Sequence, residues 1–175
     1  MKTFVTSDLH FFHKNIIQYA KRPFNSVEEM NSTIVNNWNS TISDEDHVYL
    51  LGDVSFGNSH QTNLILEELN GKIHLILGNH DLKKKQFFRN HGRITSVEDY
   101  AEIEVGGVFV ILFHYPIQEW NGSHYGSVHL HGHRHSKTPC EYSNNLRRAD
   151  VGVDAWNFYP VEIEKVLETA IKNAQ

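Results

Sequence analysis

Cysteine is nearly absent from the chain: Cys140 is the only one among 175 residues. No internal disulfide is possible, and a reducing, cytoplasmic location is the expectation that follows. Long apolar runs are missing too. None approaches the roughly 20 residues needed to cross a membrane. The N-terminus enters a strand-like segment without a signal-peptide pattern, so no membrane partner is expected. Basic residues are outnumbered, 16 Lys and Arg against 21 Asp and Glu, for a formal net charge of −5. That balance argues against an extended nucleic-acid surface. Low-complexity tracts, linkers and internal repeats are absent, and hydrophobic content is 39%. The length suits one core better than two, so a single domain over residues 1–175 is expected.

Histidine is what the chain has in excess, 13 in all, partly clustered beside aspartates at the ends of apolar runs. The central stretch is an apolar run over residues 73–77 that stops at Gly78 and delivers Asn79, His80 and Asp81 into a loop. Loops held at strand ends carry function because the sheet beneath keeps them still. Turn chemistry is the competing reading, since Gly and Asn both tolerate positive φ. A strand over residues 3–7 ends in Asp8-Leu9-His10, and one over 47–51 ends in Gly52-Asp53. The i, i+2 spacing puts Asp8 and His10 on one side if extended geometry continues. A carboxylate and an imidazole there suit a divalent metal of borderline softness. A helix cap and a surface histidine would be the ordinary alternatives.

Between these strands, Ser26 and Glu29 mark a capping box, followed by Val27, Met30, Ile34 and Trp38 as a buried helical stripe. A helix over residues 61–69 stops at Asn70-Gly71, before a strand over 72–77. Strand–helix alternation implies parallel neighbours, whose functional crevice lies at the carboxyl ends. The segment 11–24 holds a short helix and three candidate substrate contacts, His13, Asn15 and Arg22; a solvated helix with apolar anchors is the alternative. Lys83, Lys84 and Lys85 read as the exposed face of a short helix.

The second half reads as strands over 93–97, 100–105, 108–113 and 149–153, with Gly106-Gly107 as a hairpin turn and a helix over 162–173. Its buried side is expected to be Ile163, Val166, Leu167 and Ala170. The strand 108–113 leads to His114. In His129-Leu130-His131-Gly132-His133-Arg134-His135, period-two spacing puts four histidines on one side of an extended chain. His133 and His135, after Gly132, best suit metal ligands; His129 and His131 would support them or pack.

Asp8-x-His10, Gly52-Asp53, Gly78-Asn79-His80-Asp81, His114 and Gly132-His133-x-His135 occur in the order of the five motifs of calcineurin-like metallophosphoesterases. The stretch Asp150 to Trp156 also resembles the final strand of small bacterial and phage members. The resemblance implies an α/β (α+β) fold, a four-layer αββα sandwich of two mixed sheets flanked by helices. It implies that Asp8, His10 and His135 hold one metal, that Asn79, His114 and His133 hold the other, and that Asp53 bridges them. The metals would be two divalent transition ions, manganese first, with iron, zinc, nickel or cobalt also suited. Two dications about 3.5–4 Å apart need a shared carboxylate and generate a bridging hydroxide for in-line attack on phosphorus. His80 would protonate the leaving oxygen, with Asp81 orienting it, and Arg134 joins the expected substrate contacts.

Members that dephosphorylate proteins carry Gly-Asp-x-Val-Asp-Arg-Gly and an arginine before the later Gly-Asn-His. Here Gly52-Asp53-Val54-Ser55-Phe56-Gly57 and Leu77 stand in those places, which disfavours a phosphoprotein substrate. A phosphodiester is the expected substrate. The alternatives are a phosphomonoester of a small metabolite or nucleotide, or a non-catalytic metal-binding scaffold; a metal-storage protein would not need ligands on separate strands.

Overall fold

The computed structural model describes all 175 residues. The first sheet is built from β1 (Thr3–Thr6), β2 (His47–Leu50), β3 (Lys72–Ile76), β4 (Ile94–Glu98) and β9 (Val161–Glu162), in the spatial order β4-β3-β2-β1-β9. The four strands β1 to β4 run parallel, and β9 pairs antiparallel with β1. The second sheet holds β5 (Ala101–Val105), β6 (Val108–Leu112), β7 (Val128–His131) and β8 (Arg148–Asp150) in chain order. β5 and β6 form the expected hairpin around Gly106-Gly107, and β6, β7 and β8 are parallel. Both sheets are therefore mixed, as the sequence led us to expect.

The helices are α1 (Ile16–Tyr19), α2 (Val27–Thr41), α3 (Ser59–Glu67), α4 (Lys85–Arg89) and α5 (Ile163–Asn173). Ser26 caps α2 by accepting from the Glu29 backbone N–H at 3.1 Å. The Glu29 carboxylate reaches back to Asn25, one residue beyond the reciprocal partner that a capping box predicts. α3 starts earlier than expected because Asn58 and Gln61 form the full reciprocal box.

Strand alternation divides the apolar residues between two cores. Val48, Leu50, Ile73 and Leu75 face Met30, Ile34 and Trp38 of α2 and Ile65 and Leu66 of α3. The other face of the first sheet sends Val5, Leu51 and Ile76 toward Val110, Leu112, Val128 and Leu130 of the second. Each such fully buried side chain contributes about 1.5–3 kcal/mol of transfer free energy. α5 closes this second core with Ile163, Val166, Leu167 and Ala170, and packs on β1, β9, β7 and β8. Burial on both faces holds the strand ends rigidly in register, and Ser7 bridges Gly152 where the two sheets meet.

Candidate metal site

The strand ends do not continue as extended chain. Asp8 (φ 59), His10 (φ 51), Asp53 (φ 55), His133 (φ 71) and His135 (φ 50) all adopt the left-handed region. Non-glycine residues held there cost roughly 1–3 kcal/mol each and concentrate at functional sites. These turns, not period-two alternation, aim the side chains. After β7 the chain bends at Gly132, so the four histidines do not share one side. His133 and His135 enter two groups that could hold metal ions, whereas His129 and His131 are buried with their rings 5.4 Å apart.

Two groups of convergent ligand atoms result. Asp8, His10 and His135 form one, and Asp53, His114 and His133 the other; within each, the ligand atoms lie within 4.8 Å of one another. Asp53 Oδ2 lies 3.4 Å from His10 Nε2 and 3.6 Å from His114 Nε2, so one carboxylate oxygen faces both groups. Asn79 Oδ1 is 3.0 Å from His114 Nε2, beside the second group. Gly78 makes this approach possible: a Cβ there would stand 2.3 Å from Asp53 Oδ1. At Gly132 a Cβ would stand 2.0 Å from Ser7 Oγ and 2.4 Å from Asp8 Oδ2.

The chemistry of the donors fits cations. Asp8 Oδ1 and His10 Nε2 are buried without any hydrogen-bond partner. Leaving such groups unpaired costs about 1–3 kcal/mol each, and more for a charge. Burial by itself would raise the Asp8 and Asp53 carboxyls, but the surrounding imidazoles outweigh it and hold both below the usual carboxylate range. Burial lowers His133, which keeps its ring neutral as a ligand must be. His114 Nδ1 donates to the Leu51 carbonyl at 2.7 Å, which turns its Nε2 toward Asp53. His135 Nδ1 pairs with Asp154 Oδ2 at 2.8 Å, an arrangement that orients metal-binding imidazoles.

Several expected roles move. Arg22, expected at the substrate, is engaged within the protein. Its guanidinium is fully buried, pairs with both oxygens of Asp154 at 3.0 and 2.8 Å, and donates to the carbonyls of Leu9 and Asp8. Asp154 was missed by sequence reasoning, although its stretch 150–156 was noticed; its partner Arg22 lies 132 positions away. Asp81 accepts from the backbone N–H groups of Asp53, Val54 and Gly78 and makes no hydrogen bond to the His80 ring, so it positions the loops. Burial pushes the Asp81 carboxyl up to about 6, against the pull of those donors. Lys84 is not on an exposed face: its ammonium donates to the carbonyls of Ser55 and Gly57.

The other expected contacts surround the clusters. His80 Nε2 stands 3.9 Å from Asp53 Oδ2 with its side chain 44% exposed. His13 lies 3.0 Å from His10, nitrogen to nitrogen, and stacks at 3.7 Å on Phe56, a neighbour the sequence did not flag. Burial and the adjacent histidines lower His13 to about 4. Asn15 is exposed at the start of α1, and Arg134 is exposed and stacked over Tyr142 at 4.4 Å. No helix is long and apolar enough to cross a membrane.

Two mixed sheets with flanking helices, carrying at their adjoining strand ends two Asp/His groups that could each hold a metal ion, define an α/β protein with a candidate two-metal site. The model of the calcineurin-like phosphoesterase superfamily domain matches residues 1–156, and the chain belongs to that family. An uncharacterized protein of Methanocaldococcus jannaschii is 37% identical over 172 residues, covering 95% of this chain and 90% of that protein. The gene 66 protein of Mycobacterium phage L5 is 29% identical over 181 residues, covering 88% and 87%. The crystal structure of a protein of unknown function from Aquifex aeolicus superposes with a TM-score of 0.78 at 23% identity, covering 96% of this chain and 98% of that one. That likeness shows the shared fold.

Proposed function

We propose that the protein is a single-domain, metal-dependent phosphoesterase that hydrolyses phosphodiesters in preference to monoesters, in a reducing cytoplasm that suits the free Cys140. The observation that carries this reading is the position of Asp53 Oδ2, within 3.6 Å of an imidazole nitrogen in each ligand group, beside two buried donor atoms that have no protein partner. Asp8, His10 and His135 would hold one divalent ion and Asn79, His114 and His133 the other, with Asp53 shared; manganese heads the suited metals. When bound, such ions supply Lewis acidity to phosphoryl oxygens and activate water at neutral pH.

The chain's own residues do the rest. Asp154 and the Leu51 carbonyl fix two imidazoles so that their Nε2 atoms face the centre. His80 donates its imidazole proton to the ester oxygen as the phosphorus–oxygen bond breaks. Burial lowers its imidazole, with the charge of nearby Asp53 pulling the other way. Its backbone N–H is anchored on Asp53 Oδ1 at 3.0 Å, which fixes the loop at the strand end.

The test uses metal-loaded protein with a nitrophenyl phosphodiester, the matching monoester, and an alkyl or nucleoside ester. Turnover of the diester above the monoester is expected. General acid catalysis contributes about 10²–10⁴-fold, so His80→Ala should lose most activity on the alkyl ester and much less on the nitrophenyl esters. Equal loss on both kinds of ester, with metal retained, would move His80 to phosphoryl binding. No turnover of any ester by loaded wild type would leave the scaffold reading.

A further inference from the structure

The groove beside His135 is not used by the reaction described above. It encloses ≈ 340 Å³ and opens at the ligand His135, between α1 and the segment after β7. Lys21, Arg134 and Lys137 bring three cations to its lining, and Glu141 is the only carboxylate there. Glu141 is engaged, because its carboxylate accepts from the Lys137 backbone N–H at 2.6 Å. Lys137 is also tied down, donating to the Ala20 carbonyl.

Arg134 is different. Its guanidinium has no carboxylate within 4.0 Å and donates no side-chain hydrogen bond, yet it sits over the ring of Tyr142, 4.4 Å from the centroid. In a protein of net charge −5, acidic partners are plentiful, and this arginine has none of them. The cation–π contact holds the guanidinium without using its donors, which leaves them free for a bidentate anion. Arg22 shows the opposite case in the same region, with its donors taken up by Asp154 and backbone carbonyls.

We propose that this groove binds a second anionic group of the substrate, beyond the scissile phosphate, and that Arg134 is its specificity-determining contact, with Lys21 adding charge. The substrate class is then a phosphate ester carrying another phosphate or carboxylate, as in a nucleoside bisphosphate. This inference rests on the phosphoesterase reading above. It also reconciles a local need for cations with an acidic chain, since the positive field is confined to one groove.

The experiment compares thymidine 5′-nitrophenyl phosphate with the same ester bearing a 3′-phosphate, on metal-loaded wild type, Arg134→Ala and Arg134→Lys. Hydrogen bonds to charged groups lead us to expect that the second phosphate lowers KM roughly 10- to 100-fold in wild type. Arg134→Ala should erase that gain, so that the two esters become equivalent, and Arg134→Lys should keep part of it. Calorimetric binding of thymidine bisphosphate against thymidine monophosphate provides a second readout that needs no turnover. If neither ester is cleaved but the bisphosphate binds more tightly through Arg134, the hydrolytic reading fails and the groove stands. No gain from the second phosphate in wild type, or an undiminished gain in Arg134→Ala, overturns the proposal.

Discussion

Arg22 and Asp154 meet with neither side chain exposed, so each is committed to the other. Burial would push the Asp154 carboxyl up, but His135 and Arg22 hold it down. Removing one partner of a buried pair leaves an uncompensated charge and costs about 3–5 kcal/mol. Arg22→Ala should therefore lower the melting temperature by on the order of 10 °C in a chain of this size. It should also loosen His135, which shares the same carboxylate oxygen at 2.8 Å. Thermal melts and metal analysis of the variant check both effects. An unchanged melting temperature with a raised KM would return Arg22 to the substrate. The two arginines near the centre thus divide by partner: one braces the ligands from beneath, and the other faces the groove.

At the scale of elements, β7 shows how a strand can be half structural and half chemical. All four residues Val128–His131 are buried. His129 sits between the carbonyls of Ile111 and Tyr115 at 3.3 and 3.1 Å, with Trp120 against its ring. Burial lowers it to about 4, with Arg148 pushing the same way against the two carbonyls. An imidazole lowered in the folded state binds fewer protons than in the unfolded chain. Its contribution is complete above the unfolded value and is lost as pH falls from about 6.5 through about 4. The loss is on the order of 3 kcal/mol. His129→Gln keeps polar atoms in place without a titrating ring, so its urea midpoint should fall less than that of wild type between about pH 7 and pH 4.5. Parallel loss in the two proteins would show that His129 is not what the acid protonates.

The whole molecule is joined at its centre. The first candidate group takes Asp8 and His10 from the end of β1 and His135 from beyond β7; the second takes Asp53 from beyond β2, and His114 and His133 from beyond β6 and β7. Each group therefore draws on both sheets. Metal that binds only the folded chain stabilises it by about 2.7 kcal/mol at a free concentration 100 times its Kd. Loading with manganese should raise the melting temperature by several degrees, a chelator should reverse it, and elemental analysis should find about two ions per chain. Asp53→Asn, which lowers the charge facing both groups, should shrink the gain and the content together. A melting temperature indifferent to metal would mean that the sheets are held without it.

Local pattern in the sequence determined a large part of this. The spacing of Ile163, Val166, Leu167 and Ala170 marks the buried side of α5, and all four are buried. Apolar runs ending in Gly-Asp or Gly-Asn-His mark strand ends, because a buried strand must be apolar and the turn that follows must be tight. The ordered motifs therefore carried the family and the pool of candidate ligands. Only the tertiary structure decided what local pattern does not encode. Backbone handedness at Asp8, His133 and His135 is absent from any hydrophobic period, and it separates the converging histidines from His129 and His131. The pairing of Arg22 with Asp154 joins residues 132 positions apart, so a reading of Arg22 in its own segment saw only a free cation near a site. Asp81 likewise follows a histidine in sequence but is turned toward three backbone N–H groups, because a buried carboxylate takes the donors within its reach.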